Sequence, residues 1–229
     1  LRSLDDAEWA SPSRCPGWSV SDVVLHLAQT NEMAIGSLTG TYDQVLTGFL
    51  DGLDLAHDVD DGAGLMVDKE RGASSKDIYE RWRRGVDTMM GLYWEADPHQ
   101  RVQWVAGTLS AHTLASTRLA ETWIHTNDVA TTPPSTRLRY IARLAWRTLP
   151  YAFMRAGKQM KGTVAFELTG PSGQEWVFAP DDGAADTIVR GRAVDLCEVA
   201  AQRATASGTS LVAEGPDAAD ALELVRTFA

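Results

Sequence analysis

Apolar residues recur at helical spacing through the first two-thirds of the chain. In the stretch PGWSVSDVVLHLAQTNEMAIGSL, Val23, Leu27 and Ile35 fall near one helical face. Ser19 followed by Asp22 resembles a capping box, which marks the start of a helix. The predicted helices cover residues 19–38, about 75–96, about 111–130 and about 134–157. Long helices joined by short connections are typical of a helical bundle.

The pattern changes after residue 157. Apolar and polar residues alternate in TVAFELTG and QEWVFAP on either side of TGPSG, which predicts a β-hairpin. DTIVRG and TSLVAEG predict two more strands, and RAVDLCEVAAQRATASG and PDAADALELVRTFA predict helices. The predicted class is therefore mixed, with a helical bundle over residues 1–157 followed by a small α+β domain over residues 158–229.

Composition excludes several classes of function. The net charge is -10 and no block of Lys and Arg occurs, so no nucleic-acid partner is expected. No apolar run reaches about 18 residues, so no membrane association is expected. Two cysteines, Cys15 and Cys197, are too few for a disulfide framework. We expect a cytoplasmic monomer or homodimer that acts on a small molecule.

Two shorter stretches carry expectations of their own. The opening LRSLDDAEWA is interpreted as the end of a helix whose beginning lies upstream of Leu1. The segment LDGLDLAHDVDDGAG is predicted to be an acidic loop. It could imitate a calcium site, but it lacks the spacing of a calcium-binding loop, so a solvated loop is preferred. Its polar candidates are Asp54, His57, Asp58, Asp60 and Asp61.

A glutamate and a histidine in LAETWIHTND suggest metal chemistry. Glu121 and His125 are separated by one helical turn, so both side chains can reach the same point. A third ligand would have to come from a facing helix, and His26 lies mid-helix among apolar residues in VVLHLA. Simpler explanations stay open, since the pair could be a surface salt bridge and His26 a hydrogen-bonded core residue.

Neighbouring polar residues could support such a site. Either Asp22 or Asp128 could accept a hydrogen bond from the second imidazole nitrogen of a ligand. Arg118 lies one turn before Glu121 and could bind a substrate carboxylate or steady that glutamate. Cys15 could be a nucleophile, but no histidine is near it in sequence, so a structural thiol is favoured.

Three segments together resemble a known family. CPGWSVSDVVLHLAQ, RLAETWIHTNDVA and FELTGPSGQEWVF with the following IVRGRAVDLCEVAAQR are similar to the actinobacterial branch of the DinB-like metalloproteins, the mycothiol-dependent maleylpyruvate isomerase family. The resemblance covers nearly the whole chain and is nearest to a subgroup of metal-binding proteins. It implies a DinB-like four-helix bundle followed by a domain similar to sterol-carrier-protein folds.

The resemblance also implies a site and a class of reaction. Zinc, or sometimes nickel, would be bound by His26, Glu121 and His125, and mycothiol would serve as a cosubstrate. In the isomerase the thiolate adds to a cis double bond, rotation follows, and elimination gives the trans product. We therefore expect a metal-dependent isomerase or thiol transferase, with Arg118 and Asp128 as candidate catalytic residues. The alternatives are a thiol-independent cyclase, lyase or hydrolase of secondary metabolism, or a metal-binding protein without catalysis.

Overall fold

The protein folds as two compact units, Leu1–Thr132 and Pro133–Ala229, each described separately below. The computed structural model describes residues 1–52, 59–105 and 107–227, with residues 59 and 60 described by their backbone alone. Among these residues, no helix combines the length and the apolar character that crossing a membrane requires. Both helices and strands are present, as the sequence predicted.

The first unit is built mainly from helices around α2 (Val20–Thr39), most of whose residues are buried. Its Ser19 cap and the Asp22 carboxylate bond each other's backbone N–H groups, which completes the predicted capping box. A Cβ added at Gly85 would lie 3.2 Å from the Cβ of Asn31, so glycine permits close packing of α2 against α5 there. The elements are α1 (Asp6–Trp9), α2 (Val20–Thr39), α3 (Tyr42–Leu50), α4 (Val59–Glu70), α5 (Ser75–Glu95), β1 (Arg101–Trp104), β2 (Gly107–Ser110) and α6 (Ala111–Val129).

The first unit contains elements that the sequence did not predict. Helix α3 follows α2 after the left-handed Gly40, and α4 occupies residues 59–70, partly where an acidic loop was expected. The stretch between α5 and α6 forms an antiparallel hairpin of β1 and β2 rather than a plain loop. Short amphipathic segments of this kind give weak periodic signals, because only a few turns or residues contribute.

Two local expectations are corrected by the structure. The opening stretch contains a whole short helix, Asp6–Trp9, with its own capping box between Asp5 and Glu8, so this helix both begins and ends within the stretch. Met90, predicted to face inward on α5, is 58% exposed, whereas Ile78 and Met89 are buried as predicted. Of the acidic segment, residues 53–58 lie outside the described part of the chain, and the candidate calcium residues Asp54, His57 and Asp58 fall among them.

The second unit pairs a four-stranded sheet with three helices among its described residues. The sheet contains β3 (Val164–Thr169), β4 (Glu175–Phe178), β5 (Thr187–Arg192) and β6 (Val212–Glu214). Their order is β4-β3-β5-β6, with the predicted β3–β4 hairpin antiparallel and β3–β5 parallel. Its elements are α7 (Leu138–Arg155), β3 (Val164–Thr169), β4 (Glu175–Phe178), β5 (Thr187–Arg192), α8 (Ala193–Ala200), a 3-10 turn (Ala206–Gly208), β6 (Val212–Glu214) and α9 (Ala218–Leu224).

Helix α7 belongs to the second compact unit, which begins at Pro133. The indole N–H of Trp146 donates to the Val164 carbonyl at 2.8 Å, and the Thr148 hydroxyl donates to the Arg226 carbonyl at 3.0 Å. The Trp146 ring also stacks on Phe178. Helical periodicity located α7 but could not show which partner its apolar face packs against.

We expect the cap of α2 to be important for the stability of the first unit. Ser19→Ala removes the acceptor for the Asp22 backbone N–H, which is 3.2 Å away, and should lower the free energy of unfolding by about 1 kcal/mol. Urea titration followed by circular dichroism measures this loss. Ser19→Thr keeps the acceptor and serves as the control. Equal stability of the alanine variant and the wild type would contradict the prediction.

Candidate functional site

The structure brings His26, Glu121 and His125 together in the first unit. Helix α2 supplies His26, and α6 supplies the other two side chains one turn apart. The Glu121 Oε2 atom lies 3.5 Å from His26 Nε2 and 3.6 Å from His125 Nε2. The imidazole rings meet edge to face, with centroids 4.8 Å apart. One carboxylate oxygen therefore faces two imidazole nitrogens from different helices.

These separations fit shared ligation of one ion better than direct hydrogen bonding. Ligand atoms about 2.0–2.2 Å from a tetrahedral metal lie about 3.4 Å from one another. The two distances of 3.5 and 3.6 Å are close to that value and longer than strong hydrogen bonds. One ligand atom from each of the three residues lies within 4.8 Å of the other two. The Glu121 side chain, 17% exposed, is the most accessible of the three.

The three groups perturb one another strongly. Burial raises the pKa of Glu121, but the imidazoles of His125 and His26 outweigh it and hold that pKa well below its usual range. Burial lowers the pKa of His26, and Glu121 only partly opposes this. Burial also lowers the pKa of His125, but hydrogen bonds with Asp128, Cys15 and Glu121 outweigh burial and raise this pKa to about 11. Without a metal, these shifts favour a carboxylate at Glu121, a neutral imidazole at His26 and a protonated imidazole at His125.

Asp128, and not Asp22, holds the second nitrogen of a histidine in this site. Its Oδ2 atom lies 3.0 Å from His125 Nδ1, which donates the hydrogen bond when protonated, and the residue is 3% exposed. Asp22 instead caps α2 and accepts a hydrogen bond from Arg71 at 3.0 Å. The His26 Nδ1 atom is buried and has no hydrogen-bond partner among the described residues. The two carboxylates that looked equivalent in sequence thus have different roles.

Cys15 joins this arrangement, although its sequence context favoured a structural thiol. Its thiol donates to Asp128 Oδ2 at 3.0 Å, and its Sγ atom lies 3.7 Å from His125 Nδ1. Cys15, His125 and Asp128 form a second group of closely spaced metal-ligating atoms that shares His125 with the first. The same carboxylate oxygen therefore contacts both the thiol and the imidazole.

The turn in CPGW places two side chains at the site. The backbone N–H of Trp18 donates to the Cys15 carbonyl at 3.1 Å, which closes a turn over Pro16 and Gly17. Gly17 has a φ of 79°. Proline followed by a left-handed glycine is the signature of a type II turn, so this turn was readable from sequence. Trp18 packs against His26 and His125, with ring centroids 5.2 and 6.4 Å away. Nothing in the sequence indicated that the Cys15 side chain would contact Asp128 of α6.

Arg118, His112 and His99 lie outside both groups of metal-ligating atoms among the described residues. Arg118 is buried, and its Nη2 atom donates to Asn31 Oδ1 at 3.0 Å. No ion pair between Arg118 and Glu121 occurs in the structure as described. His112 is exposed at the start of α6 and belongs to neither metal-ligating group found among the described residues, and the same holds for His99 in its exposed loop.

The family model for the mycothiol maleylpyruvate isomerase N-terminal domain matches residues 1–130, which is more than half of the chain. The chain belongs to this family. The match spans the first unit and includes all three residues that surround the shared carboxylate oxygen. It confirms the resemblance inferred from sequence.

Relatives and solved structures extend the likeness beyond the first unit. Two Mycobacterium tuberculosis proteins, each named as uncharacterized, are 31% identical and cover 96% of this chain and 86% of their own length. Crystal structures of a mycothiol-dependent maleylpyruvate isomerase and of a point mutant of it superpose with TM-scores of 0.57 and 0.56. They cover 94% of this chain and 87% of theirs at 19% identity, which supports a shared fold.

Asp128 should control the protonation of His125 in the metal-free protein. Because the folded-state pKa of His125 is raised, its stabilising contribution is complete below an unfolded pKa of about 6.5 and is lost as pH rises toward about 11. Asp128→Asn should lower that pKa, so that His125 loses its proton at a lower pH. Long-range nitrogen–proton NMR correlations of the imidazoles report the protonation state directly.

Asp22→Asn is the matched control, since its carboxylate is bonded elsewhere. We expect His125 to titrate in this variant as in the wild type. A neutral His125 in wild-type metal-free protein at about pH 8 would contradict the interpretation.

Proposed function

We propose that this protein is a metal-dependent enzyme that uses mycothiol as a cosubstrate, of the isomerase or thiol-transferase type. The observation that carries the proposal is the convergence of His26, Glu121 and His125 on one point from two helices. Membership of the mycothiol maleylpyruvate isomerase N-terminal domain family supports the use of a thiol. We further propose that the first unit is a DinB-like four-helix bundle including α2, α5 and α6, and that the second unit resembles sterol-carrier-protein folds.

The proposed ion is zinc or nickel. Two imidazole nitrogens and one carboxylate oxygen are a donor set that suits either ion, and three protein ligands leave room for a further one. When bound, such an ion lowers the pKa of a coordinated thiol or water and so supplies a nucleophile near neutral pH. His26, Glu121 and His125 would bind that ion, and the residues around them would orient these three side chains.

The surrounding residues would fix the ligand geometry. Asp128 accepts a hydrogen bond from His125 Nδ1, which leaves Nε2 as the nitrogen directed at Glu121. Cys15 donates to the same carboxylate oxygen and so restrains Asp128. The Trp18 ring lies against both imidazoles. Asp128 is accordingly proposed as a positioning residue that acts through His125.

We expect one divalent ion per chain when the protein is purified without chelators. The double substitution Glu121→Ala and His125→Ala should abolish binding, because it removes two of three ligands. Mass spectrometry of the elements in desalted protein measures the stoichiometry. His112→Ala is the matched control, since it deletes an exposed histidine of the same helix. Far less than one equivalent in wild type, or full occupancy in the double variant, would contradict the proposal.

Thiol use can be tested separately from metal binding. Mycothiol should raise the melting temperature of the metal-loaded wild type and leave that of the Glu121→Ala, His125→Ala variant unchanged, because its thiolate is proposed to bind at the ion. Isomerisation of maleylpyruvate, the substrate named for the structural neighbour, is the trial reaction. Turnover that survives complete removal of mycothiol and other thiols would favour a thiol-independent cyclase, lyase or hydrolase instead.

A further inference from the structure

Arg118 is a buried cation with most of its hydrogen-bonding capacity unused. The residue is 2% exposed, and its Nη2 atom donates to Asn31 Oδ1. Its Nε and Nη1 atoms are buried and have no hydrogen-bond partner among the described residues. A guanidinium carries five N–H donors, so several remain available here. Among the ion pairs of the described residues, none includes Arg118.

Such an arrangement is costly unless something completes it. A buried charge without a counter-ion destabilises a fold, and a buried donor without an acceptor adds to that cost. Burial lowers the pKa of Arg118, and Glu121 opposes that effect through its charge. Glu121, however, already faces both imidazoles. It therefore has little capacity to serve as a dedicated counter-ion for Arg118.

The unused groups around Arg118 are also donors. The Nδ2 atom of Asn31 and the hydroxyl of Tyr93 are buried and unpartnered within the described structure. Burial raises the pKa of Tyr93, so its hydroxyl keeps its proton, and Arg118 acts on it electrostatically. Helices α2, α5 and α6 thus each contribute a donor: an amide, a phenol and a guanidinium. A set of donors with one positive charge matches a carboxylate in both charge and hydrogen bonding.

The position of this set relates it to the proposed metal ligands. Arg118 precedes Glu121 by one turn of α6 and His125 by two turns, so all three share one side of the helix. Asn31 lies on the same helix as His26. A ligand that enters beside Glu121, the most exposed of the three proposed metal ligands, would reach Arg118 about one turn further along α6.

We propose that Arg118, Asn31 and Tyr93 form an anion subsite that binds a carboxylate of the substrate. The proposal rests on the proposed function in one respect, since it assumes that the substrate's reacting part lies at His26, Glu121 and His125. Of the two roles that the sequence offered for Arg118, binding a substrate carboxylate and steadying Glu121, the proposal assigns the first. It also places that carboxylate about one helical turn of α6 from the reacting centre.

The test measures binding of maleate, a small dicarboxylate, to the metal-free protein at constant ionic strength, with maleamide as the uncharged control. Maleate should raise the melting temperature saturably and shift the NMR resonance of the Arg118 Nε–H group. Arg118→Met should weaken maleate binding about tenfold or more, since charge-assisted hydrogen bonds are lost. It should also leave the melting temperature without ligand unchanged or higher, because an incompletely paired buried charge is removed.

Asn31→Asp provides a second, nearly isosteric variant. Its carboxylate would keep the hydrogen bond to Arg118 Nη2 and supply an internal counter-ion, so the protein should fold and respond to maleate as weakly as Arg118→Met. Arg83→Met is the control, because it makes the same change in charge at an exposed position of α5 and should keep the wild-type response. If the Arg118→Met variant does not fold, the response of the Asn31→Asp variant to maleate decides whether the subsite exists.

The outcomes distinguish this subsite from the proposed function. Loss of the maleate response in the folded variants, with Arg83→Met unaffected, supports the subsite. An undiminished response in either variant overturns it, as does an equal response to maleamide or no saturable response of the wild type up to tens of millimolar. Because the titration uses metal-free protein and no thiol, its result does not depend on metal loading or mycothiol use. Those are tested by their own measurements.

Discussion

The largely buried carboxylate of Glu121 constrains the first unit, because an ionised group that loses most of its contact with water needs partners that replace its hydration. Its Oε2 atom faces imidazoles from α2 and α6, so these two helices must keep a fixed separation and a fixed register. The cap of α2 at Ser19 and the close packing of α2 on α5 at Gly85 both help to hold α2 in place. A small displacement of either helix would separate the nitrogens from the oxygen that they share.

A second layer of contacts turns this packing into a defined site. The turn at Pro16 and Gly17 brings Cys15 against Asp128, and Asp128 in turn holds one nitrogen of His125. The Arg14 backbone N–H also donates to the Asp128 carbonyl at 2.9 Å, which ties this turn to the end of α6. The orientation of His125 is therefore set by a segment more than a hundred residues away in the chain, and that orientation decides which nitrogen is directed at Glu121.

Proteins that share this fold can differ in the residues around the proposed metal ligands, and the proposed function depends on those residues. The family match and the similarity to the maleylpyruvate isomerase structures concern the fold and the N-terminal domain, and a fold accommodates many reactions. Under the proposed function, residues beside the proposed metal ligands, such as Arg118 with Asn31, would distinguish a substrate by its charge. A cluster of donors within reach of a proposed metal centre selects acids over neutral compounds of the same shape.

The sequence by itself determined the periodic features of this protein. The one-turn spacing of Glu121 and His125, the cap of α2 and the β3–β4 hairpin follow from local rules, because each depends on residues only a few positions apart. Only the tertiary structure decided that α7 packs with the second unit, that Cys15 meets Asp128 across 113 residues, and that Arg118 meets Asn31 across 87. Periodicity shows that a residue faces inward but not which buried group it meets, since that depends on how separate helices are packed.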